Sequence, residues 1–324
     1  MLKTRITELF GIRYPIISAP MGGHSGGRLA AAVSQAGALG TFGAVPADPD
    51  WVGEQIRYVR SQTDKPFGVG FITPFLPNFP KNFEVALEEK VPVILLSFSD
   101  PAEQVARAKQ AGLRTICQVQ RVEDAREALA AGTDVLVVQG NEAGGHTGLI
   151  STLTFLSLIF DIAGNTPVAA AGGIGNGRAL AAVLAAGGEG AWIGTPFLAT
   201  PEAIEVSDAY KERIVGSDGQ DTIYTRVFDI IEGAPWPPHI PGRALKNRFA
   251  QEWHGREDDL QSRRDELAPA YLNAKEKKDT NTAPVWMGQS AGSVKAVRPA
   301  SEVVQSICDE AERILRQRTS ALLT

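Results

Sequence analysis

The stretch AAAGGIGNGRALAAVLAAGGEGAWIGTPFLAT, residues 169–200, decides the fold reading. A short apolar run enters Gly172 and Gly173, a stretch rich in alanine and leucine follows from Asn176, and a second apolar run ends at Gly194 and Thr195. This is a strand–helix–strand unit. It implies parallel strands, because only a crossover of helix length carries the chain back to run in the same direction.

Outward from this unit the same alternation recurs. Apolar, β-branched runs at 15–19, 39–42, 67–71, 93–97, 115–118, 135–138, 168–170 and 191–193 read as strands. Amphipathic stretches near 28–36, 50–62, 81–89, 101–111, 122–131, 151–163 and 176–187 read as helices. Asp100 before Pro101 reads as an N-cap with proline at the first helical position, and Gly112 and Gly132 read as C-caps. The class is α/β, and eight strands each followed by a helix fit a closed (β/α)8 TIM barrel. An open doubly wound sheet stays as the alternative, since a strand count does not show closure.

The periodic pattern stops near residue 200. Residues 1–200 are expected to form the barrel, and 201–324, more charged and helical, a C-terminal region packed on it. GAPWPPHIPG at 233–242 is too dense in proline for a helix or central strand and reads as a rigid, extended connection. EKKDTN at 276–281 reads as a solvated linker. FITPFLPNFP at 71–80 follows the third strand, at the face where barrels bind ligands; it reads as a stiff packing loop or as an apolar substrate wall including Phe71 and Phe75.

Composition narrows the function classes. A hydrophobic content of 44% with 21% charged residues suits a soluble enzyme with a large core. The net charge of -5 argues against a nucleic-acid partner, which needs a basic face. No run approaches the roughly 18 apolar residues of a membrane span, and MLKTRITELFGIRYP lacks the apolar segment of a signal peptide, so a cytoplasmic location is expected. Cys117 and Cys308 lie far apart without a CxxC partner and read as structural. No histidine pair has ligand spacing, so no metal is expected.

VVQGNEAGGHTG at 137–148 carries His146 out of an apolar run into a loop stripped of side chains by Gly144, Gly145 and Gly148. Such a loop lets backbone approach a ligand closely. A mobile surface loop with a solvated histidine is the bland alternative. Against it stand the two glycine-rich turns at 172–175 and 194–195, because loops after the seventh and eighth barrel strands commonly bind phosphate. A dinucleotide fingerprint is rejected: the spacing is G-x-G-x-G, and it falls at the seventh strand.

These residues resemble the nitronate monooxygenases, once called 2-nitropropane dioxygenases, and the related flavin-dependent enoyl-acyl-carrier reductases of the second type. APMGG at 19–23, PFGVGF at 66–71, EAGGHTG at 142–148, AAGGIGNGR at 170–178, IGTPFLAT at 193–200 and GQSAGSV at 288–294 carry the resemblance. It implies FMN as cofactor. The backbone from Ala19, Pro20 and Met21 to Gly22 would run beside the flavin ring, with Gln118 at its polar edge and Gly144 and Gly145 close by. Ala171, Gly172, Gly173, Gly194 and Thr195 would hold the phosphate. Gln289, Ala291 and Gly292 would return from the C-terminal region to cover the flavin. Gly70 stands where many relatives have an asparagine that contacts the ring, which implies a more open pocket there.

His146 matches the family's catalytic histidine. Histidine ordinarily titrates near neutrality, so it can take the α-proton of a nitroalkane or orient the nitro oxygens of a nitronate. His24, on the loop after APMGG, is the second substrate candidate, with helix capping as its plain reading; His239 and His254 read as packing residues. The implied reaction oxidises alkyl nitronates, or nitroalkanes, with dioxygen to carbonyl compounds and nitrite. Two rivals remain: an NAD(P)H-dependent flavin reductase acting on quinones or enoyl thioesters, and a non-catalytic FMN-binding module.

Overall fold

The computed structural model describes residues 2–322. Among these, eight parallel strands form one sheet: β1 (Ile16–Ser18), β2 (Gly40–Gly43), β3 (Phe67–Ile72), β4 (Val93–Ser97), β5 (Arg114–Val119), β6 (Val135–Gln139), β8 (Val168–Ala171) and β9 (Ala191–Ile193). A short strand β7 (Gly145–His146) lies outside that sheet. The order is β2–β3–β4–β5–β6–β8–β9–β1, and a parallel bridge between Ile17 and Leu39 joins the last strand to the first. The sheet is therefore a (β/α)8 barrel, which removes the open-sheet alternative.

Alternation along the strands explains why they are apolar throughout. Val93 and Leu95 join an inner cluster with Ile17, Ile116, Val137 and Trp192. Ile94 and Leu96 point the other way, into the cluster shared with the surrounding helices. Successive strand side chains face opposite sides, and here both sides are dry. Gly68 makes room for this packing, since a Cβ there would sit 2.4 Å from Leu95 Cδ1. Truncating a fully buried leucine such as Leu95 to alanine costs about 2–5 kcal/mol. Ile6 and Phe10 of the helix Arg5–Phe10 belong to the same inner cluster, and Ile6 packs beside Gly190 just ahead of β9. That helix plugs the N-terminal end of the barrel and leaves the C-terminal ends of the strands for a site.

The caps differ in detail from the sequence reading. Gly132 is the left-handed C-cap, at φ +78°. Gly112 lies one residue beyond its C-cap Ala111. Pro101 occupies the N-cap position of its helix, and Asp100 Oδ1 accepts from Ala102 N at 3.0 Å instead of capping as expected.

The C-terminal region is not helical alone. β10 (Thr222–Thr225) and β11 (Gly242–Leu245) pair antiparallel, and β11 accepts β7 on its other edge, with Gly242 opposite His146 and Arg243 opposite Gly145. Phe228, Ile231, Phe249, Trp253 and Tyr271 form a satellite cluster beneath this sheet. Met287, Val304 and Ile307 merge with the barrel's outer core. The final helix, Ala300–Leu322, crosses the helix Gly177–Ala185 so closely that a Cβ on Gly177 would lie 2.4 Å from Glu310 Cβ. Among the described residues, no helix is long and apolar enough to cross a membrane.

Candidate active site

A cavity of about 620 Å³ opens at the C-terminal ends of the barrel strands. Its floor is built from Ala19, just after β1, Phe71 and Ile72 of β3, Ser97 of β4, Gln118 of β5, Gln139 of β6, Ala171 of β8 and Gly194, just after β9. A volume of this size is ordinary for a cofactor or ligand site. Pro20, Met21, Gly22, Gly144, Gly145, Gly172, Gly173 and Thr195 line it too, as do His24 and Phe75. Gln289, Ala291 and Gly292 do not. Gln289 is exposed and Ala291 is buried, and the residue of that segment facing the cavity is Ser290. The segment does reach the glycine turns: Gly288 N donates to Thr195 Oγ1 at 2.9 Å and Gln289 N to the Glu142 carbonyl at 2.9 Å.

The two glycine turns carry unsatisfied donors. Gly172 and Gly173 adopt φ of +103° and +71°, a region open to glycine and costly for other residues. Among the described residues, none accepts from the N–H groups of Gly173, Gly194 or Thr195. The helix opening after Asn176 has part of its N-terminus occupied by side chains. Two of its first-turn donors are already taken, Ala179 N by Asn176 Oδ1 at 3.0 Å and Gly177 N by Glu310 at 2.8 Å. The helix end at the turns belongs instead to the short helix Thr195–Leu198.

His146 is held from three sides. Its backbone is the edge of the β7–β11 ladder, Thr147 N donates to the Pro241 carbonyl at 3.1 Å, and Tyr224 Oη donates to the Thr147 carbonyl at 2.7 Å. The mobile-loop alternative does not survive this. The imidazole Nε2 lies 2.9 Å from Asp229 Oδ1, with side chains only 9% and 7% exposed. Asp229 sits in the first turn of the helix Val227–Glu232, where free N–H groups favour a carboxylate. Trp236 stacks on the imidazole at 3.6 Å and Trp286 tilts against it at 5.2 Å. Phe75 and Phe98 each pack on Trp236 at 4.9 Å, so the ring lies in an aromatic enclosure.

A cavity at this end of the barrel, joining paired glycine turns to the partly buried His146, matches a known family. The nitronate monooxygenase model aligns with residues 3–78 and 73–310. The chain belongs to the nitronate monooxygenase family. It is 36% identical, over 78% of its length and 68% of the relative's, to (3aS,4S,5R,7aS)-5-hydroxy-7a-methyl-1-oxo-octahydro-1H-indene-4-carboxyl-CoA dehydrogenase of Mycobacterium tuberculosis. Among solved structures it resembles FabK from Thermotoga maritima, at TM-score 0.88 and 32% identity over 99% of this chain and 100% of that one. It also resembles nitroalkane oxidase from Streptomyces ansochromogenes, at TM-score 0.82 and 30% identity over 97% of this chain and 99% of that one. Like the rest of the nitronate monooxygenase family, the chain is a flavin-dependent oxidoreductase.

At Gly70, where the resemblance leads one to expect an asparagine, glycine has a steric reason. A Cβ at Gly70 would lie 2.3 Å from both Cβ and Cγ of Pro20. The proline ring occupies the space where an asparagine side chain would begin, so the pocket is not more open there.

His24 is half-buried and lines the cavity, with Nδ1 donating to the Gly22 carbonyl at 3.0 Å and its ring tilted on Tyr210 at 5.4 Å. Burial holds its pKa below the ordinary histidine value, outweighing the Gly22 carbonyl, which favours protonation. It caps no helix; Gly26 is the N-cap of Gly27–Gln35. His239 and His254 are exposed and lie off the cavity, and His254 Nδ1 is 3.2 Å from Thr225 Oγ1. Burial pushes the Cys117 and Cys308 thiols up to about 12, so neither is a thiolate near neutrality.

Sequence reading missed Asp229, Trp236, Trp286 and Gln139, all cavity residues. Two had signals. Gln139 is the polar end of an apolar strand, at the barrel face that carries sites, and Asp229 is a lone acid inside the apolar run VFDII. Trp236 was masked by the connection reading of 233–242. The presumed linker at 276–281 contributes Lys278 and Thr280 to the cavity wall, beside Lys275.

Proposed function

We propose that this chain uses FMN to oxidise alkyl nitronates, and nitroalkanes, with dioxygen, giving a carbonyl compound and nitrite. The observation that carries the reading is His146 on the wall of a cavity that also contains the paired glycine turns. The unsatisfied N–H groups of Gly173, Gly194 and Thr195 suit one phosphate group, and the chain has no dinucleotide fingerprint for an adenosine half. These residues fit FMN: the turns would hold its phosphate, and the Ala19–Gly22 backbone and Gln118 would flank its ring. Bound FMN supplies the electron chemistry, taking electrons from substrate and passing them to dioxygen.

The protein's own part is proton transfer, orientation and shielding. From a neutral nitroalkane His146 removes the α-proton. A nitronate arrives already deprotonated, and His146 then orients its nitro oxygens by hydrogen bonding. Trp236, Trp286, Phe75 and Phe98 keep the reacting centre dry.

Lys275 and Lys278 on the cavity wall favour a second reading, a reductase for thioesters of a phosphate-bearing carrier. Two measurements on the purified protein test the choice. The extracted chromophore is expected to be FMN, and anaerobic alkyl nitronate is expected to bleach it faster than NADH or NADPH. Recovery of FAD, or of no flavin, would overturn the cofactor. Rapid bleaching by a reduced nicotinamide with no response to nitronate would assign the reductase.

A further inference from the structure

The contact between His146 and Asp229 determines more than burial. We propose that Asp229 is a positioning residue that holds His146 as the Nε2–H tautomer and so makes Nδ1 the base. This rests on the reading of His146 as the proton acceptor for nitroalkanes.

An ionised carboxylate only accepts hydrogen bonds, so the 2.9 Å contact places a proton on Nε2. In the neutral ring the lone pair is then on Nδ1, which has no protein partner among the described residues. Trp236, nearly parallel to the imidazole at 3.6 Å, and the β7–β11 ladder that holds its backbone oppose a ring flip that would put the carbon Cε1 where Nε2 meets Asp229.

Asp229 is also costly as a purely structural residue. It is 6% exposed, and its Oδ2 is buried without a hydrogen bond. An unsatisfied buried carboxylate oxygen destabilises a fold, so one retained beside an active-site imidazole points to a use for the charge. That use arises when the substrate's α C–H bond breaks and an Nδ1–H bond forms. The electron pair of the C–H bond stays on the nitronate, and the imidazolium so created keeps Nε2–H on Asp229. Other ionisable groups surround the pair: Glu232 on the same helix, paired with Lys275 at 2.7 Å and bonded by Tyr271 Oη at 2.6 Å, and Arg243 on β11, bonded to the Asn141 carbonyl at 2.7 Å. None of them contacts the imidazole.

The test is long-range proton–nitrogen NMR on FMN-loaded protein carrying 15N-histidine, above the imidazole titration, with His146→Asn assigning the His146 signals. The wild type is expected to show a protonated Nε2 and an unprotonated Nδ1. In Asp229→Asn the amide can donate as well as accept, so the tautomers should mix. Its kcat on a neutral nitroalkane should fall by about 10²-fold or more with KM changed far less. Turnover of preformed nitronate, which needs no proton removal, should fall less. A wild-type His146 protonated on Nδ1 overturns the proposal even if Asp229→Asn fails to fold. So does an Asp229→Asn protein with unchanged tautomer and unchanged nitroalkane kcat. Wild-type protein inactive on every nitro compound would defeat the functional reading while leaving the tautomer result standing.

Discussion

Trp236 lies nearly parallel to His146, with ring centroids 3.6 Å apart and planes 10° apart. The tryptophan comes from a proline-rich segment without regular structure, and the histidine from the two-residue strand β7, whose ladder fixes its backbone but not the imidazole. The stack restricts its rotation. Aromatic pairs of this kind contribute about 0.5–1.5 kcal/mol, so Trp236→Ala is expected to lower kcat on nitronates by up to about tenfold. Steady-state kinetics with flavin content held equal is the check. Unchanged kcat would mean that the ladder and Asp229 suffice to orient the ring.

Replacing His146 separates binding from chemistry. His146→Asn retains a polar side chain but no titratable base. FMN content should stay near wild type while nitroalkane turnover falls by about 10²-fold or more, the usual scale for losing a general base. Nitronates should lose less. Equal activity of mutant and wild type on both substrates would place the chemistry elsewhere in the cavity.

Introducing an asparagine at Gly70 should harm this protein. With Pro20 atoms 2.3 Å from the new Cβ, the β1 loop or β3 must shift, and overpacking of this kind costs about 1–3 kcal/mol. Gly70→Asn is expected to melt earlier and bind FMN less tightly. Pairing it with Pro20→Ala should recover part of both. Thermal melts and flavin stoichiometry report the outcome, and a fully loaded single mutant with an unchanged melting temperature would show that the loop yields freely.

His24 predicts a pH effect of definite sign. Its folded pKa is depressed by burial, so its contribution to stability is complete above the unfolded histidine value of about 6.5. Below that value the unfolded chain takes up a proton that the folded state resists, and the contribution is lost. The melting temperature of wild type relative to His24→Gln should therefore decline as pH falls from about 7.5 to about 5.5. Parallel curves for the two proteins, both saturated with FMN, would contradict the burial of this ring.

The barrel was legible because its signals are local. Residues 93–97 and 191–193 were placed to the residue, since a dry strand flanked by turn residues needs no distant information to be recognised. The glycine turns and His146 were legible for the same reason: a ligand-facing loop after a barrel strand must be built from particular residue types in a short span. Gln289 and Ser290 show the limit. The segment lies beside the glycine turns, yet which neighbour faces the cavity depends on the backbone rotation of the short helix Gln289–Ser293, seated between Thr195 and Glu142.

The chain's own pattern thus determined the class of fold, the end of the barrel that carries the cavity and the choice of candidate base. Tertiary structure alone decided what surrounds that base. Gly145 and His146 have no strand pattern of their own and become β7 only because β11 offers an open edge. Asp229 reaches His146 from 83 positions away, and Trp236 arrives from a segment with no secondary structure to predict. Pairings of that kind follow from how separately folded pieces pack, and the free energy that selects them is spread over contacts distant in sequence.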